Sequence, residues 1–397
     1  MESEEPKVNL LWKKKLDVKE KYYNHEVKIH DGNIFYISND CTNSETPYGC
    51  IYVLDFKGNI KWKYMPKNRI QSYSLSKNLL AIAIPDEGIE GLNLNGEHLW
   101  KYKYKYLIRN IQLSSNYLVF CSGAFVYLLD WDKNNEWKLK WEYDCDKEVG
   151  DLEWSQVWDV KIYKENVFAI SESYVYCFDI DGNIKWKTKN TGGHEKIKII
   201  NEDAVICMNC PYISCYGHDG IVWEFNLEDT FLGGTSINER YIAIGVDYYG
   251  DDGKNKDIIT YLIDKDGKII NRYVREKIKH LNQHANASPV YTSVSDKYLS
   301  VATFDGYVYL FDINGKLKFT WHSSKIDENW RKEHSAKQEG YTLSGESSEE
   351  DIVQIVEDGV YGDIYRDYYP ISSIDMLEDH IAVLSRNEIT IFKIKQQ

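Results

Sequence analysis

No apolar run in this chain of 397 residues approaches the roughly 20 residues that a membrane-spanning helix needs. The first residues, MESEEPKVNLLWKKK, also lack the apolar stretch of a signal peptide. Basic charge is short: Lys+Arg 48 stand against Asp+Glu 62, a formal net charge of −14, which disfavours nucleic-acid binding because phosphate contacts need a basic footprint. The eight cysteines form no spaced framework and sit in strand-like segments, so they are expected to be reduced and mostly buried. A cytoplasmic protein without membrane insertion follows as the expectation. The abundance of Lys, Ile, Asn, Tyr and Glu fits a thermophilic or archaeal source. With 43% hydrophobic and 14% aromatic residues, the chain is too apolar to be disordered.

What is present is a repeat. In YVYCFDIDGNIKWK (174–187), the residues before the first aspartate are β-branched, aromatic or cysteine, as suits a buried strand. Asp-Gly then marks a tight turn, and NIKWK alternates apolar and charged side chains, the period of a strand with one wet face. The unit recurs in GCIYVLDFKGNIKWKYM, with Asp55, Gly58 and Trp62 matching Asp179, Gly182 and Trp186. Further copies keep Gly96 and Trp100, Asp130 and Trp141, Gly220 and Trp223, Asp264 and Gly267, and Asp312 and Gly315. Asn271 and Phe319 stand where tryptophan is expected.

Taking Trp62, Trp100, Trp141, Trp186, Trp223, Asn271 and Phe319 as markers, the steps are 38, 41, 45, 37, 48 and 48 residues. Repeats of about 40 residues with strand periodicity are propeller blades. Two more strand-like runs precede most copies, giving four antiparallel strands per blade. NLLWKKK (9–15) is a second arm without a first, and EITIFKIKQQ (388–397) a first arm without a second. Pairing them closes the ring and leaves no open sheet edge. The expectation is an all-β, single-domain, eight-bladed β-propeller over 1–397, with seven blades the alternative. Two insertions interrupt it: a polar loop at 247–257 in blade six and an acidic segment at 323–369 between blades seven and eight, including SGESSEED.

The pattern Ser288-Pro289-Val290, a variable strand, then Gly306-Tyr307-Val308-Tyr309 with Asp312 and Gly315 through Trp321 resembles the PQQ-like repeat propellers. That family includes quinoprotein alcohol dehydrogenases and the lipoprotein of the bacterial outer-membrane assembly machine. The resemblance implies that Trp62, Trp100, Trp141, Trp186 and Trp12 dock between neighbouring blades. The quinoprotein dehydrogenases carry two adjacent cysteines beside their cofactor; this sequence has no adjacent pair, the nearest being Cys207 and Cys210. No cofactor is therefore expected.

Candidate sites each have a plainer account. Cys207, Cys210 and Cys215 in CMNCPYISC have a spacing that suits a metal, yet Cys215 falls on the core-strand position of Cys177, which favours buried thiols. His280 and His284 would share a helix face, half of a zinc site with no third ligand named, and surface histidines on a short helix are preferred. Asp251, Gly253, Asn255 and Asp257 lack the EF-hand order and read as a solvated loop. Lys61, Lys63, Lys101, Lys103, Lys185 and Lys187 lie on outer arms, where lysine blocks edge-to-edge pairing. No nucleophile–base pair is evident.

Function is expected at the channel mouth, where the connections into the innermost strands gather. Those connections hold His25, Arg69, Arg109, Trp154, Trp158, His194, His284, Tyr368 and Tyr369. The expected role is a non-catalytic scaffold that binds a protein partner there and through the acidic insertion. The alternative is a small-ligand sensor or enzyme using the channel as its pocket.

Overall fold

The structure is a computed structural model, and it describes residues 7–18, 25–39, 48–133, 136–148, 156–191, 196–209, 212–226, 230–248, 258–274, 289–303, 306–323, 371–385 and 388–395. Eight four-stranded antiparallel sheets follow one another around a ring, forming an eight-bladed β-propeller. Blade 1 is typical: His25–His30 lies innermost, then Asn33–Ser38, Cys50–Leu54 and outermost Ile60–Tyr64. The two middle strands are buried along their whole length, and the outermost alternates exposed and half-buried residues. Apolar clusters fill the space between blades, for example Phe35, Ile51 and Val53 of blade 1 against Leu80, Ile82 and Leu92 of blade 2.

The eighth blade is built from both ends of the chain. Lys7–Lys15 pairs antiparallel with Glu388–Lys395, and that strand continues into His380–Ser385 and Ile371–Leu377. Among the described residues no helix is long and apolar enough to cross a membrane.

The repeat turn is held by its first aspartate. Asp55 Oδ1 accepts the backbone N–H groups of Lys57 at 2.8 Å and Asn59 at 2.9 Å, while Gly58 N–H donates to the Asp55 carbonyl at 3.0 Å. Gly58 takes φ 83°, a left-handed conformation that glycine adopts without a Cβ clash. Asp179 repeats the arrangement with Asp181 and Asn183, and in blade 2 Asn93 does so with Asn95 and Glu97. The hydrogen bonds hold both aspartate carboxyls below their usual pKa, led in each by the side-chain bond to Asn59 or Asn183.

The marker residue of one blade meets the turn of the next. Trp12, Trp62, Trp141 and Trp223 lie on Gly58, Gly96, Gly182 and Gly267, and each indole N–H donates to the carbonyl two residues before that glycine. Strand pairing places Trp223 opposite Cys215 as Trp186 lies opposite Cys177, so the shorter turn of blade 5 leaves the register intact. Asn271 keeps the same partner, its amide 3.4 Å from the Ile313 carbonyl, and the buried Tyr273 hydroxyl adds bonds to the Asp312 and Ile313 carbonyls.

Trp100 and Trp186 differ. Both are buried between blades, but no turn glycine lies beneath them: Trp100 packs on Trp131 and Trp137 of blade 3, and Trp186 faces a blade 5 turn with only His218 and Asp219 between the strands. Phe319, opposite Leu310 at the marker position, packs on Phe392 of blade 8, whose two outer strands belong to opposite ends of the chain and share no turn.

Candidate functional site

The innermost strands line the channel, and their register defines levels within it. Lys28 and Lys161 pair with the third residue of the following strand in blades 1 and 4, Phe35 and Phe168, and Lys198 with Ile206, the second residue of the shorter strand Val205–Asn209 in blade 5. At the same level stand Ser74, Gln112, Ser236, Ser293 and Asp375.

Several of these polar groups bond the neighbouring blade. Ser74 Oγ accepts the N–H of Leu113 at 2.9 Å, Gln112 Oε1 that of Ile162 at 2.8 Å, and Ser293 Oγ that of Met376 at 3.0 Å. Asp159 and Asp375 accept from Ile197 and Ile29 at 2.9 and 2.7 Å. An innermost strand has a blade partner on one side only, so its other edge would leave backbone N–H groups unpaired. The side chains of the preceding blade supply the acceptors. Sequence reasoning missed this set; its signal, in Ser74, Gln112, Ser293 and Asp375, is a polar side chain two or three residues before the turn into the buried second strand, while Asp159 lies further up its strand beside the bulge.

Of the expected mouth residues, two meet. The Arg109 guanidinium lies over the Trp158 ring, 4.2 Å from its centroid. Arg109 precedes the innermost strand of blade 3, its N–H donating to the Cys121 carbonyl at 2.9 Å. Trp158 is the extra residue of a β-bulge between Val157 and Asp159, a device that re-aims a side chain. Both are half-buried, and Trp158 packs against the apolar cluster shared by blades 4 and 5. The pair thus spans three blades.

His25 opens the innermost strand of blade 1 but does not join this pair: it is 6% exposed and stacked on Tyr36, whose hydroxyl is 3.1 Å from His25 Nδ1. Arg69 is exposed, two residues further from the innermost strand than the level of Arg109, which Gln71 occupies by donating to the Ala83 carbonyl. Trp154, His194, His284, Tyr368 and Tyr369 lie outside the described residues, as do His280, the 251–257 ligand set and residues 324–369. Asp247 and Tyr248 belong to the strand Tyr241–Tyr248.

Cys121, Cys145, Cys177, Cys207 and Cys215 are buried and carry no disulfide, and burial pushes Cys121, Cys177 and Cys215 up to about 12. Cys50 corrects the expectation of reduced thiols: it is buried and disulfide-bonded, its partner sulfur lying outside the described residues. Among the described residues no group of three or more His, Cys, Asp or Glu could hold a metal ion. The outer lysines are largely engaged: Lys61 with Asn33, Lys101 with Glu87 and Glu90, Lys185 with Asn166, and Lys187 over the Tyr174 ring.

No known family and no curated protein matches the chain by sequence. Solved structures do match in shape. The chain is similar to the computationally designed Ika8 protein (TM-score 0.61, 10% identity, 96% of this chain and 98% of that one). It is also similar to Sqt1 of Saccharomyces cerevisiae (TM-score 0.60, 9% identity, 96% and 99%) and to BamB of Moraxella catarrhalis (TM-score 0.57, 9% identity, 97% and 99%). The likeness is one of fold. A β-propeller is shown.

Proposed function

We propose that this propeller is a non-catalytic interaction scaffold of the PQQ-like repeat kind, which captures a protein partner at the channel mouth. One observation supports the reading: Arg109 and Trp158, from the starts of the innermost strands of different blades, are stacked on each other. Tryptophan and arginine dominate protein–protein hot spots because each buries a large area while keeping a polar handle. A pair already stacked loses little further side-chain freedom on binding. The acidic segment 323–369 is proposed as an adjustable arm beside this surface, and the protein is proposed to act in the cytoplasm without a cofactor.

Affinity capture from the native cell, with the wild-type chain and the Arg109→Ala/Trp158→Ala double variant side by side, tests this. A partner retained by the wild type and lost by the double variant supports the mouth as its site. Equal recovery places the partner elsewhere. Deleting 340–358 is expected to leave a folded ring and to weaken capture of the same partner, measured in the same experiment.

A further inference from the structure

Lysines and carboxylates face one another along the channel, and their pairing is uneven. Lys161 Nζ lies 2.6 Å from Asp159 Oδ1, and the other oxygen of Asp159 accepts the Ile197 N–H. Glu26 accepts the Tyr73 hydroxyl. Asp375 accepts the Ile29 N–H; burial raises its carboxyl pKa and the charge of Lys28 opposes that rise, so Asp375 balances part of the Lys28 charge without a direct ion pair. Lys28, Lys196 and Lys198 have no hydrogen-bond or ion-pair partner among the described residues.

The geometry sets these unpaired ammonium groups against each other. Lys28 and Lys198 occupy the same register level in blades 1 and 5, and in a ring of eight those blades stand opposite. Lys196 lies two residues nearer the mouth on the strand of Lys198, and Lys161 stands at the Lys198 level in blade 4. Lys28, Lys161 and Lys198 are half-buried. Desolvation, followed by the charges of Lys28 and Lys161, pushes Lys198 down to about 8, with Lys196 adding to the effect and Asp159 opposing it. A chain of net charge −14 therefore encloses a local excess of positive charge. Like charges gathered in a confined space are unfavourable until a counter-ion joins them.

We propose that the central channel binds a small oxyanion bearing at least two negative charges, a phosphate ion or the phosphoryl group of a small molecule, held between Lys28 and Lys198 with Lys196 on its mouth side. A carboxylate offers one charge and neutralises one wall. A phosphoryl group offers two charges on three or more oxygens and reaches both walls, and lysine serves it as a point charge. This site lies below the mouth pair and does not depend on the partner reading; either can fail alone.

Isothermal titration of the full-length protein at pH 7 and low ionic strength tests the site, with inorganic phosphate, pyrophosphate, glycerol phosphate and acetate as probes. The expected result is phosphate or pyrophosphate binding with Kd below about 1 mM and acetate at least about 10-fold weaker. Lys28→Met and Lys198→Met each weaken phosphate or pyrophosphate by at least about 10-fold, whereas Lys63→Met on the exposed outer strand stays within about 2-fold. Methionine keeps the length of the stem and removes the confined charge, so the channel variants should fold, which circular dichroism checks. Glycerol phosphate binding tighter than phosphate assigns a phosphorylated molecule; the reverse assigns the free ion; both support the site. No heat from phosphate or pyrophosphate at about 10 mM, equal affinity in the two channel variants, or acetate as tight as phosphate would overturn it. As a second readout, the Lys198 pKa followed by NMR should rise in saturating phosphate, and a fixed value would contradict the proposal.

Discussion

The Trp62 indole lies against Gly96 of the next blade and donates to the Leu94 carbonyl at 2.8 Å. A Cβ at Gly96 would sit 2.8 Å from the ring, and its φ of 85° already disfavours any side chain. Gly96→Ala is therefore expected to cost about 2 kcal/mol or more, from ring displacement and backbone strain together. Trp62→Phe removes the hydrogen bond and part of the contact, about 1–2 kcal/mol. The sharper test is Trp186→Phe. The Trp186 indole N–H is buried with no partner among the described residues, so its loss relieves a desolvated donor and offsets the lost area, and the change should stay within about 1 kcal/mol. Chemical denaturation of the two phenylalanine variants checks the order.

At the junction of blades 6 and 7 a tyrosine has taken over the donor role. The Tyr273 hydroxyl donates to the Asp312 and Ile313 carbonyls at 3.1 and 3.2 Å, beside the longer contact from Asn271. Tyr273→Phe should cost about 1–2 kcal/mol in denaturant melts, more than Asn271→Ala, whose single bond is at the edge of hydrogen-bonding range.

The turn aspartates predict an acid dependence with a built-in control. Asp179 has its carboxyl pKa lowered in the folded protein, so the folded state binds fewer protons than the unfolded one near that pKa. Its contribution is present above the unfolded value of about 4 and is lost as pH falls through the folded one. Asn93 makes the same two backbone contacts without titrating. Asp179→Asn should thus change stability little at pH 7 and flatten its decline below about pH 4, whereas Asp179→Ala should cost about 1 kcal/mol at neutral pH. Denaturation midpoints from pH 3 to 7 distinguish the two.

Lys198 predicts a slope of the same sign on the alkaline side. Its folded pKa of about 8 lies below the ordinary lysine value, so from there upward the unfolded chain binds more protons and stability rises with pH. The buried thiols, pushed up in the fold, work against this above about pH 9. Between pH 7 and 9, Lys198→Met should abolish the rise and add about 1–2 kcal/mol at pH 7. Parallel melts of variant and wild type across that window measure it.

The blades were legible in the sequence because their signals are local. The aspartate, the glycine and the marker residue lie within one hairpin, and they located Trp62 and Trp141 together with the turns that receive them. Trp100 and Trp186 carried the same local signal, but their docking depends on the turn of the next blade, which lacks the receiving glycine. The channel was less legible. Ser74, Gln112, Lys28 and Lys198 are ordinary polar residues of short strands, and only closing the ring places Lys28 opposite Lys198. The meeting of Arg109 with Trp158 likewise depends on a bulge that no residue pattern announces.

The central claim is that blade markers hold the ring and that the mouth carries the function. Its most direct test is quantitative affinity capture with Trp62→Phe and Trp158→Ala, each paired with its thermal midpoint. Trp62→Phe should lower the midpoint and keep the captured partner; Trp158→Ala gives up part of its packing on the blade 4–5 cluster, so its midpoint should fall by a few degrees while the ring stays folded, and it should lose the partner. A Trp158→Ala protein that keeps the partner, or a Trp62→Phe protein that loses it while still folded, would contradict the account.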